Sequence, residues 1–497
     1  MKKRVILFII DALSSQMCVP AIKEGRLPNL GKLVEHGFMK EESVSIFPSL
    51  TPAATSTIVT GDYPKQHGIL GFHWFDRKNQ EVAYYGDDFW IVNALGFGEF
   101  FDDCLRKLNG KRLTSSTIFE RLADEKMKSA SFNFLIFRGK TEHKAEIPLW
   151  FSWHPKVPFK QELMGPDYLY FGDFVETREY DEEAPRRSGG LLGRFGFNDS
   201  STADLVSFFA EGDKFPEFTL AYFPDHDYKA HDEGLESAFS QVKEFDSTLG
   251  ALFDRYGGPE KTLEKFNIVV TGDHSQTDTT GDAEECKIFL ESLLEGFPLA
   301  QPTEWNDSDA EKLMAFADMR CAQVYSPQTD TPYLSRIASK ALEDSRVDQV
   351  LWRDRDSGFI RVATSDRGEC RFKLSENGRG HLDDYGNKWI VEGDITALDA
   401  TLEENKVEYG DYPNALERIW GGLKNESSAD IWLTSNIGYE FVLKGVKAHV
   451  GGGSHGSLHR LDSLSPLIVG GVRSVDTLPE KPRLVDVCPL CLELLGV

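Results

Sequence analysis

Carboxylate and imidazole side chains recur where short apolar segments of the sequence end. Asp11 closes the segment VILFIID, while Asp273 and His274 directly follow NIVVTG. The full set comprises Asp11, Asp227, His231, Asp273, His274 and His455. These side chains are ligands that zinc and manganese accept, and six of them suit two divalent ions better than one. A single Asp at a strand end is usually a turn former or helix cap, but six such residues together predict a metal site.

A hydroxyl group that could attack a phosphoryl group lies in the segment FPSLTPAATSTIVTG, residues 47–61. Thr51 stands directly before Pro52, a pair typical of a helix start, with the threonine as N-cap. A helix N-terminus favours an anionic phosphoryl group, and a metal-coordinated hydroxyl there can be deprotonated and attack phosphorus. The sequence therefore predicts Thr51 as a cap, a nucleophile or both. The competing hydroxyl residues of the segment are Ser49, Thr55, Ser56 and Thr57.

Apolar segments that end in polar residues predict the strands that must bring these side chains together. The segments are 5–11, 218–227, 266–275 and 465–471, and helical patterns lie at 29–37, about 53–60, 116–125, 235–256 and 485–495. Apolar runs separated by helices are typical of parallel strands buried on both faces. We therefore predict an α/β fold with a mostly parallel central sheet, helices on both faces, and a site at the carboxyl ends of the strands.

The acidic segment 282–430 differs in composition from the rest of the chain. It contains mixed strand patterns such as QVLWRDRDSGFIRVAT and GECRFKL. We predict that it is an inserted α+β cap subdomain. Residues 1–281 and 431–497 would then form the catalytic core, with a second insertion within 74–215.

Charge and composition exclude several classes of protein. With 55 basic and 80 acidic residues the formal net charge is −25, which argues against binding nucleic-acid polymers or anionic membranes. The apolar run 5–10 is too short for a signal peptide, and no segment reaches the roughly 20 apolar residues of a membrane span. Seven scattered cysteines do not form a disulfide framework, and Cys488 and Cys491 are expected to pack in a core. We predict a cytoplasmic protein.

Several of these segments together resemble a known family. The segments are ILFIIDAL, FPSLTPAATSTIVTGDYPKQHGILG, PDHDYKAHDEG, VVTGDHSQTD and GGGSHGSL. In combination they resemble the alkaline phosphatase superfamily, and within it the type I phosphodiesterase/nucleotide pyrophosphatase branch, in separated blocks from residue 5 to 495. The resemblance implies an alkaline phosphatase-like core and a hydrolase of small phosphodiesters or pyrophosphates.

The resemblance also implies roles for individual residues. Thr51 matches the threonine nucleophile, which would form a phosphothreonine that water then hydrolyses. One metal would be held by Asp11, Asp273, His274 and Thr51. The other would be held by Asp227, His231 and His455, with Asp225 as second choice for Asp227. We expect the ions to be zinc, with manganese as the alternative.

The chain departs from the branch near its phosphoryl-binding residues. The branch usually has TFPNH at the nucleophile where this chain has TPAAT, and Phe72 stands where an asparagine would contact a phosphoryl oxygen. Candidate substrate contacts are His73, Trp74, His459 and Arg460, although structural roles are the more common explanation for each. Because 182 residues separate Asp273 from His455, long for this branch, we expect the segment 282–430 to select the substrate.

Other functions share parts of this sequence pattern. A phosphomonoesterase or phosphonate hydrolase could use the same metal core. A sulfatase is disfavoured because no Cys/Ser-x-Pro-x-Arg pattern surrounds the nucleophile, and the related mutases typically use serine. A catalytically silent metal-binding module is also disfavoured, since no ligand and no nucleophile is missing. The sequence leaves the physiological substrate and the oligomeric state open.

Overall fold

The computed structural model shows a mixed α/β architecture built around two large sheets. It describes residues 2–86, 102–146, 160–176, 189, 191–300, 311–476 and 478–497 of the 497. The α/β class predicted from the sequence is confirmed. Part of the predicted insertion within 74–215 lies outside the described residues.

The first sheet has eight strands and contains all four segments that were predicted to be strands. In spatial order the strands are Gly37–Val44, Leu464–Gly470, Phe266–Thr271, Arg4–Ile10, Phe218–Phe223, Ser129–Phe132, Tyr168–Phe171 and Val175–Glu176. Adjacent strands from Phe266–Thr271 to Tyr168–Phe171 are parallel. The pairs at both edges are antiparallel.

The strand Leu464–Gly470 runs against its neighbour Phe266–Thr271, whereas its sequence suggested a parallel strand. The chain enters this strand from the loop that carries His455, which lies at the carboxyl ends of the central strands. A strand that starts at that edge must run away from it. Its apolar sequence reflects burial on both faces, which a buried antiparallel strand shares with a parallel one.

Helices cover both faces of the first sheet because its central strands are apolar on both sides. Along Arg4–Ile10 alternate side chains belong to two different hydrophobic cores. One face packs against Thr51–Thr60, Ile118–Asp124 and Val487–Leu495. The helix Ala415–Leu423 belongs to the same hydrophobic core, which also includes side chains of the second sheet. The other packs against Ser15–Lys23, Pro28–Glu35, Asp199–Ala210, Leu235–Tyr256 and Pro259–Lys265.

The second sheet has ten strands drawn mostly from the segment 282–430. In spatial order they are Met314–Asp318, Cys321–Tyr325, Ile431–Ser435, Val347–Arg353, Ile360–Ala363, Glu369–Leu374, Lys388–Gly393, His381–Asp383, Lys406–Tyr409 and Ala400–Glu403. The helix Thr331–Ala341 packs against this sheet. Because the third strand begins at residue 431, the sheet extends beyond the predicted boundary, and the division of the chain into core and cap stays a prediction.

Short ribbons and helices make up the rest of the described secondary structure. The ribbons pair Thr277–Asp278 with Gly453–Ser454, Lys287–Phe289 with Glu440–Val442, His73–Asp76 with Glu81–Tyr84, and Thr141–Glu146 with Lys160–Gly165. The remaining described helices are Pro64–His67, Asp102–Arg112, Leu191–Gly196, Asp225–Glu233, Leu290–Leu293, Ile395–Leu398, Arg460–Ser463 and Leu484–Asp486.

Two compositional expectations can be compared with the structure. All seven cysteines are free thiols, as predicted, and Cys488 and Cys491 are buried in the core on the inner face of the C-terminal helix. None of the helices in the described ranges is both long and apolar enough to cross a membrane.

Candidate active site and metal centre

Three neighbouring parallel strands bring three aspartates to one edge of the first sheet. Asp11 directly follows the central strand Arg4–Ile10. Asp273 lies two residues beyond Phe266–Thr271 on one side of it. Asp227 lies in the first turn of the helix that follows Phe218–Phe223 on the other side. Since the carboxyl ends of parallel strands share one edge, residues far apart in sequence become neighbours.

Asp11, Asp273 and His274 form the first group of converging donor atoms. The His274 Nε2 atom lies 3.5 Å from Asp11 Oδ1 and 3.5 Å from Asp273 Oδ2. One donor atom from each of the three residues falls within 4.8 Å of the others, and all three side chains are buried. This spacing allows the three atoms to bind one divalent ion.

Asp227, His274 and His455 form a second group with the same spacing. Asp227 Oδ1 lies 3.7 Å from His455 Nε2, and Asp227 Oδ2 lies 3.2 Å from His231 Nε2. The His274 and His455 rings stack with centroids 3.8 Å apart. His231 therefore meets the same carboxylate as His455, and His274 lies between the two groups.

All three imidazoles are oriented by backbone carbonyl groups. His231 Nδ1 lies 2.7 Å from the carbonyl oxygen of Gly453. His274 Nδ1 lies 3.1 Å from the carbonyl oxygen of Ser275, and His455 Nδ1 lies 2.7 Å from that of Ser49. A carbonyl can only accept, so each Nδ1 carries the proton and donates it. In the neutral form that binds metal, the lone pair of each ring is then on Nε2, which points into the site.

Several buried donor atoms of the site have no hydrogen-bond partner among the described residues. They are Asp11 Oδ1, Asp273 Oδ2 and His455 Nε2. A buried polar atom without a partner is costly, and buried charges are normally paired or bound to metal. The donor set and its unpartnered atoms therefore fit bound divalent cations.

The pKa values of the three aspartates also indicate that a positive charge would stabilise the site. Burial, reinforced by the charges of Asp227 and Asp273, raises the pKa of Asp11 well above its usual range. Burial likewise raises the pKa of Asp273. For Asp227 burial is outweighed by His231 and His455, which hold its pKa below the ordinary value.

Thr51 is the hydroxyl residue that reaches this cluster. Its Oγ1 lies 3.1 Å from His274 Nε2, the atom shared by the two groups. The competing hydroxyls are buried and bonded elsewhere: Ser49 to the Ser457 carbonyl, Thr55 to that of Thr51, Ser56 to that of Pro52, and Thr57 to His67. Thr51 is the first residue of its helix and Leu50 is the N-cap, so the predicted capping role is not observed.

A cavity of about 620 Å³ opens over Thr51 and three of the candidate metal ligands. Its walls combine Asp11, Asp227 and His231 with aromatic side chains, among them Phe72, Tyr84, Tyr85, Tyr222 and Tyr228. An apolar wall beside a charged floor suits a phosphoryl group that carries an organic substituent.

Of the four residues predicted to contact substrate, one lines this cavity and three lie elsewhere. His73 lines the cavity, whereas Trp74, its neighbour in the same strand, is buried in the hydrophobic core. His459 precedes a short helix away from the cavity and accepts from the Leu461 amide. Arg460 pairs with Glu42 at the surface, 2.8 Å away. As substrate contacts, these last three residues have no support in the structure.

Asp225, the second choice for Asp227, belongs to a different arrangement. Its carboxylate accepts from the Asp199 amide at 3.0 Å, and its own amide donates to the Asp199 side chain. Arg194 forms an ion pair with it. Asp225 therefore links the start of the helix Asp225–Glu233 to the start of the helix Asp199–Ala210.

Sequence patterns missed the residues that support the ligands. Tyr222 donates to the Asp11 carboxylate and Gln276 to that of Asp227. The His226 Nδ1 atom donates to the Asp11 carbonyl at 3.0 Å. Each lies within five residues of a predicted ligand or strand end, which is the signal that could have found them.

Comparison with known proteins identifies the family of the chain. The sequence profile of the type I phosphodiesterase/nucleotide pyrophosphatase family matches residues 5–458. The chain belongs to this family and is a hydrolase that acts on phosphoester bonds. No curated protein sequence matches the chain.

Solved structures share its fold. Murine ectonucleotide pyrophosphatase/phosphodiesterase 5 is 12% identical over 100% of this chain and 95% of that one, with a TM-score of 0.56. An inactive threonine-to-alanine variant of the murine protein, in complex with AMP, is 12% identical over 100% and 96% of the two chains, with a TM-score of 0.57. Phosphonoacetate hydrolase from Sinorhizobium meliloti 1021, in complex with phosphonoformate, is 17% identical over 99% and 96%, with a TM-score of 0.56.

Proposed function

We propose that this protein is a metal-dependent phosphohydrolase that cleaves phosphodiesters or pyrophosphates through a phosphothreonine on Thr51. The observation that carries the proposal is the 3.1 Å contact between Thr51 Oγ1 and His274 Nε2, the atom common to both donor groups. A nucleophile for phosphoryl transfer must lie beside the groups that stabilise charge on the transferring oxygens.

The proposed site holds two divalent ions, with zinc as first choice and manganese as second. One would be bound by Asp11, Asp273, His274 and Thr51, and the other by Asp227, His231 and His455. Bound ions would supply positive charge that lowers the pKa of the nucleophilic hydroxyl and stabilises the attacking and leaving oxygens.

The protein's own residues perform the remaining tasks. Thr51 Oγ attacks phosphorus, the bond to the leaving alcohol breaks, and water later cleaves the Oγ–phosphorus bond. Because Thr51 begins the helix Thr51–Thr60, amide groups of the first turn other than Pro52, which has none, would be available to the phosphoryl oxygens. Carbonyl partners on the three imidazoles keep the ligand atoms in place throughout.

The cavity favours a diester over a monoester. Its volume of about 620 Å³ and its aromatic wall leave room for a substituent beside the phosphoryl group. A phosphomonoesterase or phosphonate hydrolase is the second candidate, favoured by Phe72 at the cavity and by the fold shared with phosphonoacetate hydrolase.

We further propose that 1–281 and 431–497 form an alkaline phosphatase-like core with a mostly parallel sheet, and that 282–430 is an inserted cap. Asp318, Ala317 and Met319 support this arrangement, because they bring the second sheet to the cavity wall. We also propose that the substrate is a small phosphoester. A cytoplasmic location is proposed because all seven cysteines are free thiols, and disulfides are rare in the cytosol.

Hydrolysis of an aryl phosphodiester and the matching aryl phosphomonoester tests the function. The assay compares wild type with Thr51→Ala, each loaded with zinc or manganese. We expect a diester preference that Thr51→Ala abolishes while bound metal, measured by elemental analysis, is retained. A monoester preference would select the second candidate, and full turnover by metal-loaded Thr51→Ala would exclude the covalent mechanism.

A further inference from the structure

His73 lines the same cavity as the nucleophile Thr51, although the two residues are on different elements. The segment before it passes so tightly against Leu50 that a Cβ atom at Gly71 would lie 2.8 Å from Leu50 Cδ1. Leu50 directly precedes Thr51. Both His73 and Thr51 line the same cavity, with 15% of the His73 side chain exposed there.

The second sheet holds this imidazole through a buried carboxylate. His73 Nδ1 lies 3.1 Å from Asp318 Oδ1, whose side chain is 1% exposed. Gln323 donates both to Asp318 Oδ2, at 3.0 Å, and to the His73 carbonyl, at 2.6 Å. Since a carboxylate accepts, Nδ1 carries a proton, and Nε2 is the remaining polar atom of the ring, a donor when it too is protonated.

Two aromatic rings fix the plane of the imidazole. Tyr84 stacks on it with centroids 4.3 Å apart and an interplanar angle of 27°, and Phe316 stacks at 5.6 Å and 6°. Within the part of the chain that the structure describes, no residue hydrogen-bonds Nε2. The ring is therefore held on three sides with one nitrogen left for a ligand in the cavity.

We propose that His73, oriented by Asp318, is a catalytic residue that donates a hydrogen bond from Nε2 to the phosphoryl group attacked by Thr51. This inference rests on the proposed function and names a further residue of the same site. A protonated imidazole backed by a carboxylate makes a charge-assisted donor, which binds an oxyanion more strongly than a neutral group. A preorganised donor of this kind gains strength as charge develops on the oxygens.

Chemical rescue tests the proposal, because removing the ring leaves a flat slot between Tyr84 and Phe316. We expect His73→Ala to lower kcat about 100-fold, as loss of one oxyanion donor typically does. Imidazole should restore activity in a saturable manner. 1-Methylimidazole should not, since one of its nitrogens is blocked and it cannot contact Asp318 and the substrate together.

The controls separate a catalytic role from filling of space. Asp318→Asn should weaken kcat more than KM, and His36→Ala, a half-buried histidine outside the cavity, should respond to neither compound. Equal rescue by both compounds, or rescue by neither, would overturn the role of His73. If wild-type protein hydrolyses phosphoesters and Thr51→Ala does not, such a result leaves the proposed function intact. If wild type itself is inactive with metal, the proposed function fails first.

Discussion

Buried carboxylates occur in both sheets, but their surroundings differ. In the second sheet Asp430 is 1% exposed and lies 2.7 Å from both Arg77 and Arg355. At the first sheet Asp11 and Asp273 are also buried, yet among the described residues an oxygen of each has no hydrogen-bond partner. Asp430 is thus neutralised within the chain, whereas the unpartnered oxygens of Asp11 and Asp273 fit a bound cation.

The difference distinguishes structural charge from functional charge. A paired buried charge fastens parts of the chain together, because removing either partner leaves the other exposed to a low dielectric. Unpaired carboxylates that converge raise each other's pKa and destabilise the protein until a cation binds. Convergence without pairing is therefore the feature that identifies the site.

Replacing one of the converging carboxylates gives the largest expected effect. Asp273→Asn should lower kcat/KM about a thousandfold, or ~4 kcal/mol, because a metal ligand is lost. In metal-free protein the same change should leave Tm unchanged or higher, since burial raises the pKa of this carboxyl and the neutral amide avoids that cost. Steady-state kinetics and calorimetry with a chelator provide both measurements.

Asp246→Asn is the matched control for that experiment. Asp246 is also buried beside the first sheet, but both of its oxygens accept hydrogen bonds, from Asn29 and Leu30. In Asp273 only Oδ1 accepts, from the Ala12 and His274 amides. The substitution Asp246→Asn should lower Tm by the same amount with and without metal. A metal-free Asp273→Asn protein clearly less stable than wild type would contradict the comparison.

Removing a paired buried carboxylate should lower stability and leave activity unchanged, the opposite of what we expect for Asp273→Asn. Asp430→Asn leaves Arg77 and Arg355 without their carboxylate and should destabilise the fold by about 3 kcal/mol. Turnover per folded molecule should stay at the wild-type value. Urea unfolding measures the stability, and steady-state kinetics on the same samples measure the turnover.

Glu392→Gln is the exposed control on the same sheet. It removes an exposed partner of Arg371 and should lower the free energy of unfolding by under about 1 kcal/mol.

A buried histidine outside the site gives a smaller effect than the loss of either buried carboxylate. His67 is fully buried against Thr57, and burial lowers its pKa to about 3. The unfolded chain, with an ordinary pKa near ~6.5, binds the proton first, so stability falls as the pH drops below that value. Between pH 6.5 and 5 the loss should be about 2 kcal/mol.

His67→Gln removes this group and tests the assignment. Its unfolding free energy should depend less steeply on pH than that of wild type between pH 6.5 and 5. Identical slopes for the two proteins would show that His67 does not remain neutral in the folded state.

The sequence by itself determined the strands and the residues at their ends. Apolar runs such as residues 5–10 must be buried, and a buried strand can carry Asp11 or Asp273 only where it leaves the sheet. Parallel pairing then collects those positions at one edge. Local pattern also marked Thr51, because a threonine before proline is typical of a helix start.

Tertiary structure decided what local pattern could not express. The partner of His73 is Asp318, 245 residues away in a hairpin of the second sheet whose sequence gives no sign of it. Trp74, one residue on, faces the core because successive strand residues point to opposite sides. The direction of Leu464–Gly470 likewise followed from where its preceding loop lies. Contacts between distant segments depend on packing, which residue spacing along the chain does not encode.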